Sequence, residues 1–123
     1  MKEKKRVEEK GWGYEEILVS NSEYCMKRMV FGKDSKFSMH FHVDKKETWY
    51  VQKGFFVLEY IDTTNANIRT INLCQGDVWT NERLFPHRLI CKENKGIIME
   101  VSTKDTIRDN YRVMPGDSQN LEE

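Results

Sequence analysis

Apolar residues recur along this chain in short runs that alternate with polar positions, and turn-formers interrupt them at intervals too short for helices. Runs rich in β-branched and aromatic residues cover Tyr14 to Val19, Tyr24 to Phe31, Lys36 to Val43, Thr48 to Gln52, Phe55 to Ile61, Ile68 to Leu73, Asp77 to Thr80, His87 to Cys91 and Ile97 to Ser102. Between them stand Asn21-Ser22, Gly32-Lys33-Asp34-Ser35, Lys53-Gly54, Asp62 to Asn67, Gln75-Gly76 and Glu93-Asn94-Lys95-Gly96. Strand-length runs at this spacing, with no apolar period of helical length, predict an all-β antiparallel sandwich or barrel.

The flanks differ. Residues 1–10 are nearly all charged, with Val7 the only aliphatic after Met1, and read as a solvated arm or one short helical turn. Order begins at Gly11-Trp12-Gly13-Tyr14, so the barrel is expected over residues 11–104. Residues 105–123 are a polar tail in which Met114-Pro115-Gly116-Asp117-Ser118 reads as a turn before a loose end.

A length of 123 residues is enough for one domain with a core and too little for two. Twenty basic and twenty acidic residues cancel, which removes the electrostatic footprint of a protein that grips nucleic acid or an anionic membrane. A small-molecule partner fits better. The longest apolar stretches, such as Phe55 to Leu58 and Gly96 to Met99, are far shorter than the roughly 20 residues that cross a bilayer. The basic opening Met1 to Arg6 runs into Val7-Glu8-Glu9-Lys10 rather than an apolar stretch, so no secretory signal is read there and a cytoplasmic protein is expected. Cys25, Cys74 and Cys91 are odd in number and lack a Cys-x-x-Cys spacing, which argues for core packing rather than a disulfide framework or a thiolate zinc site.

Candidate chemistry concentrates in the imidazoles. All three histidines fall in two short stretches, Met39-His40-Phe41-His42 and Phe85-Pro86-His87-Arg88, and Glu47 opens the alternation that follows the first. Residues two apart on a strand share a face, so His40 and His42 can aim at one point, with Glu47 and His87 arriving from other strands. Imidazole plus carboxylate without thiolate suits a divalent transition metal such as zinc, manganese, iron or nickel, with positions left open for water or substrate. The competing reading makes His40 and His42 a hydrogen-bonded pair on a wet strand face and His87 an unrelated loop residue.

These residues carry a resemblance. His40-x-His42-x-x-x-x-Glu47-x-x-x-x-x-x-Gly54 resembles the first motif of the cupin family, and Gly76 followed eleven residues later by His87 has the spacing of the second. The resemblance covers Trp12 to Ser102 and implies a double-stranded β-helix, or jelly roll, with the two motifs facing each other. Three positions depart from the family pattern: Asp34 and Leu84 stand where glycine is usual, and Glu82 where proline is, while Pro86 restricts Phe85 to extended geometry. Within the cupins, the chain is similar to type II phosphomannose isomerases in Trp12-Gly13-Tyr14, Ser38-Met39-His40, Glu47-Thr48-Trp49, Gly76-Asp77, His87-Arg88 and Glu100-Val101, with a shortened echo of their Arg-rich ending in Asp105 to Arg112.

That resemblance implies an isomerase acting on a sugar phosphate or activated sugar. Aldose–ketose interconversion needs a Lewis acid to polarise oxygen and a base to carry a proton between carbons. Glu100, between Met99 and Val101, is the candidate base, although strand parity allows it either an inward or a solvent-facing setting. Lys46 and Arg88 are candidate catalytic or phosphate-holding residues that parity sends initially away from the metal, and Arg108 and Arg112 join them if the tail crosses the barrel mouth. Trp49 and Val51 share Glu47's face, Leu89 and Cys91 share that of His87, and an apolar wall behind the metal follows. On the opposite face Met39, Phe41 and Val43, with Thr48 and Tyr50, are apolar enough to predict a homodimer. Two other functions share the ligand set: an iron-dependent dioxygenase, and a module that binds a sugar or carboxylate at the metal without turnover.

Overall fold

A computed structural model describes residues 1–120, so the last three tail positions, 121–123, lie outside the described residues. Eleven strands and one short helix follow in order: β1 Arg6–Lys10, β2 Gly13–Ser20, β3 Tyr24–Gly32, β4 Met39–Phe41, β5 Glu47–Lys53, β6 Phe55–Asp62, β7 Asn67–Cys74, β8 Val78–Asn81, β9 His87–Cys91, β10 Lys95–Thr103, β11 Tyr111–Met114 and α1 Asp117–Asn120. One sheet runs β1-β2-β3-β10-β5-β8 and the other β11-β4-β9-β6-β7, with every pairing antiparallel. This is the cupin double-stranded β-helix, a jelly roll in which strands far apart in sequence become neighbours.

Alternation places the core between the sheets. Phe31, Met29, Trp49, Val51 and Ile98 from the first sheet meet Phe56, Leu58, Leu73, Leu89 and Cys91 from the second. Trp12 enters from the β1–β2 turn and stacks on Phe31 with ring centroids 4.5 Å apart. The sheets come close enough at Gly96 that a Cβ there would lie 2.4 Å from the Phe56 ring, so only glycine fits. Toward the other end of the same inward face the residues turn charged: Lys27 on β3, Glu47 on β5 and Glu100 on β10 are all buried.

Both flanks are more ordered than their composition suggests. Residues 6–10, read from sequence as arm or helical turn, form β1 and pair with β2, Val7 lying opposite Glu16. Charge does not prevent this because β1 is an edge strand, where charged side chains remain solvated and protect the open edge; Lys5 also reaches the Glu16 carboxylate at 2.8 Å. The tail likewise contributes β11, which pairs with β4, and Tyr111 stacks on Phe41 at 5.3 Å. Beyond it, the Asp117 carboxylate accepts the Lys36 N–H at 2.9 Å and the Ser118 hydroxyl accepts the Gly11 N–H at 3.0 Å. A four-residue strand is too short for period-2 alternation to announce itself.

Two of the departures from the cupin pattern keep the backbone that glycine would favour. Asp34 has φ of 60° and Leu84 φ of 68°, both left-handed. Aspartate tolerates this region well and leucine poorly. Leu84 is held there by its N–H, which donates to the carbonyl of His42 at 2.7 Å.

Candidate metal centre

The short β4 carries His40, the chain leaves the strand at His42, and a turn through Val43 to Lys46 delivers Glu47 as the first residue of β5. His87 begins β9 directly opposite His40 in the β4–β9 register. Opposite residues on paired strands project to the same side, so both imidazoles point inward. Glu47 comes from the facing sheet. The ligand atoms of His40, His42, Glu47 and His87 all lie within 4.8 Å of one another.

Each imidazole has one nitrogen already committed. Nδ1 of His40 meets the Ser38 hydroxyl at 3.0 Å, Nδ1 of His87 meets the Phe85 carbonyl at 2.7 Å, and Nδ1 of His42 meets the Asp109 carbonyl. A carbonyl can only accept, so His42 and His87 carry their proton on Nδ1 and leave Nε2 as a lone pair. Nε2 of His87 lies 2.8 Å from Oε1 of Glu47, and among the described residues it is a buried nitrogen with no hydrogen-bond partner. Unpartnered lone pairs converging with a carboxylate oxygen are what a divalent cation satisfies. The donor set therefore fits a divalent metal ion, which those four residues would hold.

Electrostatics agree with that assignment. Burial, reinforced by the neighbouring His87 and His42, holds His40 well below the usual imidazole range, and burial lowers His42 as well. Both are neutral and ready to ligate near neutral pH. Burial alone would raise Glu47, but the Lys45 ammonium outweighs it and keeps this carboxyl well below the usual range. Lys45 is buried against three carboxylates: its Nζ lies 3.3 Å from Glu47, 3.2 Å from Glu100 and 3.3 Å from Asp105. Despite burial, those charges hold its ammonium above the ordinary lysine value. Lys27 extends the cluster to Asp105 at 2.7 Å.

Glu100 faces inward, so its parity is settled in favour of the cavity. Oε1 accepts the Trp49 indole N–H at 2.9 Å and Oε2 accepts Lys45. Burial and the charge on Glu47 push its carboxyl up to about 7, while Lys45 and Lys27 pull the other way. Trp49 is a buried wall residue and also the donor that orients Glu100.

A cavity of about 670 Å³ opens over this group, and His40, His42, Lys45, Glu47 and Glu100 line it. Lys46 and Arg88 do not. Lys46 points outward to Glu82 at 3.3 Å, and Arg88 lies on the outer side of β9 against Glu59 at 3.0 Å. Strand parity turns both outward, toward local carboxylates rather than the cavity. Of the two tail arginines, Arg112 lines the cavity and Arg108 is exposed outside it.

Lys45 and Asp109 were not anticipated. The same i, i+2 rule that assigned Trp49 to the face of Glu47 assigns Lys45 to it too, so a signal existed. Asp109 gave none, because its role depends on how the tail returns.

No protein-family model matches the chain, and no curated protein does. Among solved structures, the capsular polysaccharide assembling protein CapF from Staphylococcus aureus superposes with a TM-score of 0.79 at 11% identity, over 90% of this chain and 34% of that one. Oxalate decarboxylase from Bacillus subtilis superposes with a TM-score of 0.77 at 14% identity, over 89% of this chain and 30% of that one. KdgF from Halomonas sp. has a TM-score of 0.70 at 15% identity, over 86% of this chain and 90% of that one. The chain thus spans about a third of the CapF and oxalate decarboxylase structures and nearly all of KdgF. One oxalate decarboxylase structure is described for its Mn(II) centres. At these identities the likeness establishes the cupin fold, and the His/Glu cluster within it is this chain's own candidate metal centre. Among the described residues, no helix is long and apolar enough to cross a membrane.

Proposed function

We propose that this cupin is a metal-dependent enzyme of the isomerase type, moving a proton between adjacent carbons of a sugar-derived substrate bound in the cavity. The observation that carries the reading is the divergence of two neighbouring buried carboxyls. Glu47 is held ionised, as a ligand must be, and Glu100 is brought to about 7, where a group can both take and return a proton. A bound divalent ion would supply polarisation of a substrate oxygen. Glu100 holds the mobile proton, Trp49 and Lys45 keep its two oxygens oriented, and the apolar wall of Trp49 and Phe37 limits water behind it. CapF is a capsular polysaccharide assembling protein, and that likeness supports a carbohydrate-derived substrate.

The test is solvent deuterium incorporation. Metal-loaded protein in D2O, with a panel of aldoses, ketoses and their acid and phosphate derivatives, should label one carbon-bound position, and Glu100→Gln should abolish labelling while metal content is kept. Oxygen consumption without labelling would instead indicate a dioxygenase, and binding without either would indicate a non-catalytic module.

A further inference from the structure

The cations lining the cavity are Arg6, Lys10, Lys27, Lys45 and Arg112. Four are already engaged. Arg6 and Lys10 reach Glu8 at 3.1 and 3.4 Å, Lys27 reaches Asp105 at 2.7 Å, and Lys45 reaches Glu100 at 3.2 Å. Arg112 has no ion pair and no side-chain hydrogen bond among the described residues. It lies directly across from the metal-ligand candidate His40 in the β11–β4 register, on the same side of the sheet. Among the described residues its guanidinium is therefore the uncommitted positive charge of this cavity.

An independent observation lies two residues earlier. Oδ1 of Asn110 is buried and has no hydrogen-bond partner among the described residues, and Asn110 lines the same cavity. A buried amide oxygen lacking a donor costs stability and calls for one from outside the chain. A hydroxyl group is the simplest donor.

Taken with the metal-site reading, on which this rests, we propose that the ligand is a polyhydroxylated monocarboxylate: a sugar acid whose carboxylate pairs with Arg112 and whose hydroxyl donates to Asn110, with another oxygen left for the metal. The planar carboxylate matches the guanidinium fork, two N–H donors to two oxygens. A phosphate dianion would need further positive charge, and every other lining cation is held by a carboxylate within 3.4 Å. The substrate thus shifts away from the sugar phosphate that the isomerase resemblance implies.

Three ligands on one carbon skeleton separate the cases: D-glucose, D-glucuronate and D-glucose 6-phosphate, titrated calorimetrically against protein of measured metal content. Glucuronate should bind at least about tenfold more tightly than the other two, the scale of one bidentate charged pair. Arg112→Ala should erase that preference with metal content and fold unchanged, and Asn110→Ala should weaken glucose and glucuronate alike. Tightest binding by the phosphate, equal binding of glucose and glucuronate, a preference that survives Arg112→Ala, or no binding of any of the three overturns the proposal. Protein that takes up no ion overturns the metal reading and this inference with it, whereas fully loaded protein showing no preference overturns this inference alone.

Discussion

Asp109 accepts the Nδ1 proton of His42 on its main-chain carbonyl, while its carboxylate accepts the main-chain N–H groups of Val43 at 2.7 Å and Lys45 at 2.9 Å. A single buried residue of the returning tail thereby fixes both the tautomer of one ligand and the turn that leads to the next, Glu47. Asp109→Ala removes the carboxylate and leaves buried N–H groups without acceptors, at about 1–3 kcal/mol for each group fully desolvated. The metal-free variant should unfold at a clearly lower urea midpoint and bind divalent ions at least tenfold more weakly, within the range for loss of an outer-shell partner. Asp109→Asn keeps one acceptor oxygen and should fall between. Unchanged metal affinity in the alanine variant, measured by competition with a chelating dye, would leave Asp109 a purely structural clasp.

Lys45 neutralises carboxylates that would otherwise repel one another inside the barrel. Lys45→Met leaves Glu47, Glu100 and Asp105 without their shared cation, and breaking a buried charge cluster in this way costs on the order of 3–5 kcal/mol. A saturating divalent ion at Glu47 supplies positive charge in the same place, so it should restore more stability to the variant than it adds to the parent. Lys46→Met, which loses only an outward pair with Glu82, should change stability by no more than about 0.5 kcal/mol. Denaturant midpoints with chelator and with added metal distinguish the two lysines; equal midpoints would refute the neutralising role.

How much of this was legible in the sequence follows from the range of the interactions involved. The barrel and its ligand cluster were readable because alternation and the His-x-His spacing are local, so Tyr24 to Phe31 and Ile97 to Ser102 are the cores of β3 and β10. The run Lys36 to Val43 shrank to the three residues of β4, because the ladder is not continuous along it: Lys36 makes only an isolated bridge to Ile90. β1 and β11 were missed because an edge strand and a four-residue strand draw their stability from neighbours rather than from their own pattern. Leu84 shows the opposite effect, a departure from the family's glycine that the fold overrides at the level of φ. Asn110 and Arg112 reach the cavity, and Asp109 reaches His42, through a chain reversal that no short-range periodicity encodes, which is why Arg112 is a candidate in the sequence only on condition that the tail crosses the barrel mouth.

Proton linkage at His40 has a definite sign. Its folded value lies well below 6.5, so at pH values just under 6.5 the unfolded chain binds a proton that the folded chain refuses, and stability falls as pH is lowered through that window. Glu100 works in the opposite direction, because its folded value near 7 exceeds the unfolded 4.5 and its protonated form favours the fold below neutrality. His40→Asn removes the first contribution and keeps the second. Between pH 7.5 and 5.5 the metal-free parent should therefore lose more stability than the His40→Asn variant does. Parallel urea midpoints for the two proteins across that range would contradict the assignment of a neutral His40.

The outer faces separate into one already covered and one that is not. On the second sheet Met39 is fully buried and Phe41 is stacked under Tyr111 of β11, so neither needs a partner molecule. On the first sheet Tyr50 is 45% exposed, Val101 51% and Val78 64%, although all three belong to regular strands. Tyr50 lies directly opposite Val78 on β8, and Val101 opposite Thr48 on β10's shared edge with β5, so the exposed side chains form one contiguous patch. An exposed apolar patch of this kind can bury itself against its own copy, and we propose a homodimer through this sheet. Light scattering should give twice the chain mass for the parent and the single-chain mass for Tyr50→Lys combined with Val101→Lys, with the circular dichroism of the barrel unchanged. A monomeric parent at every concentration tested would exclude this assembly and leave the patch free for a different partner.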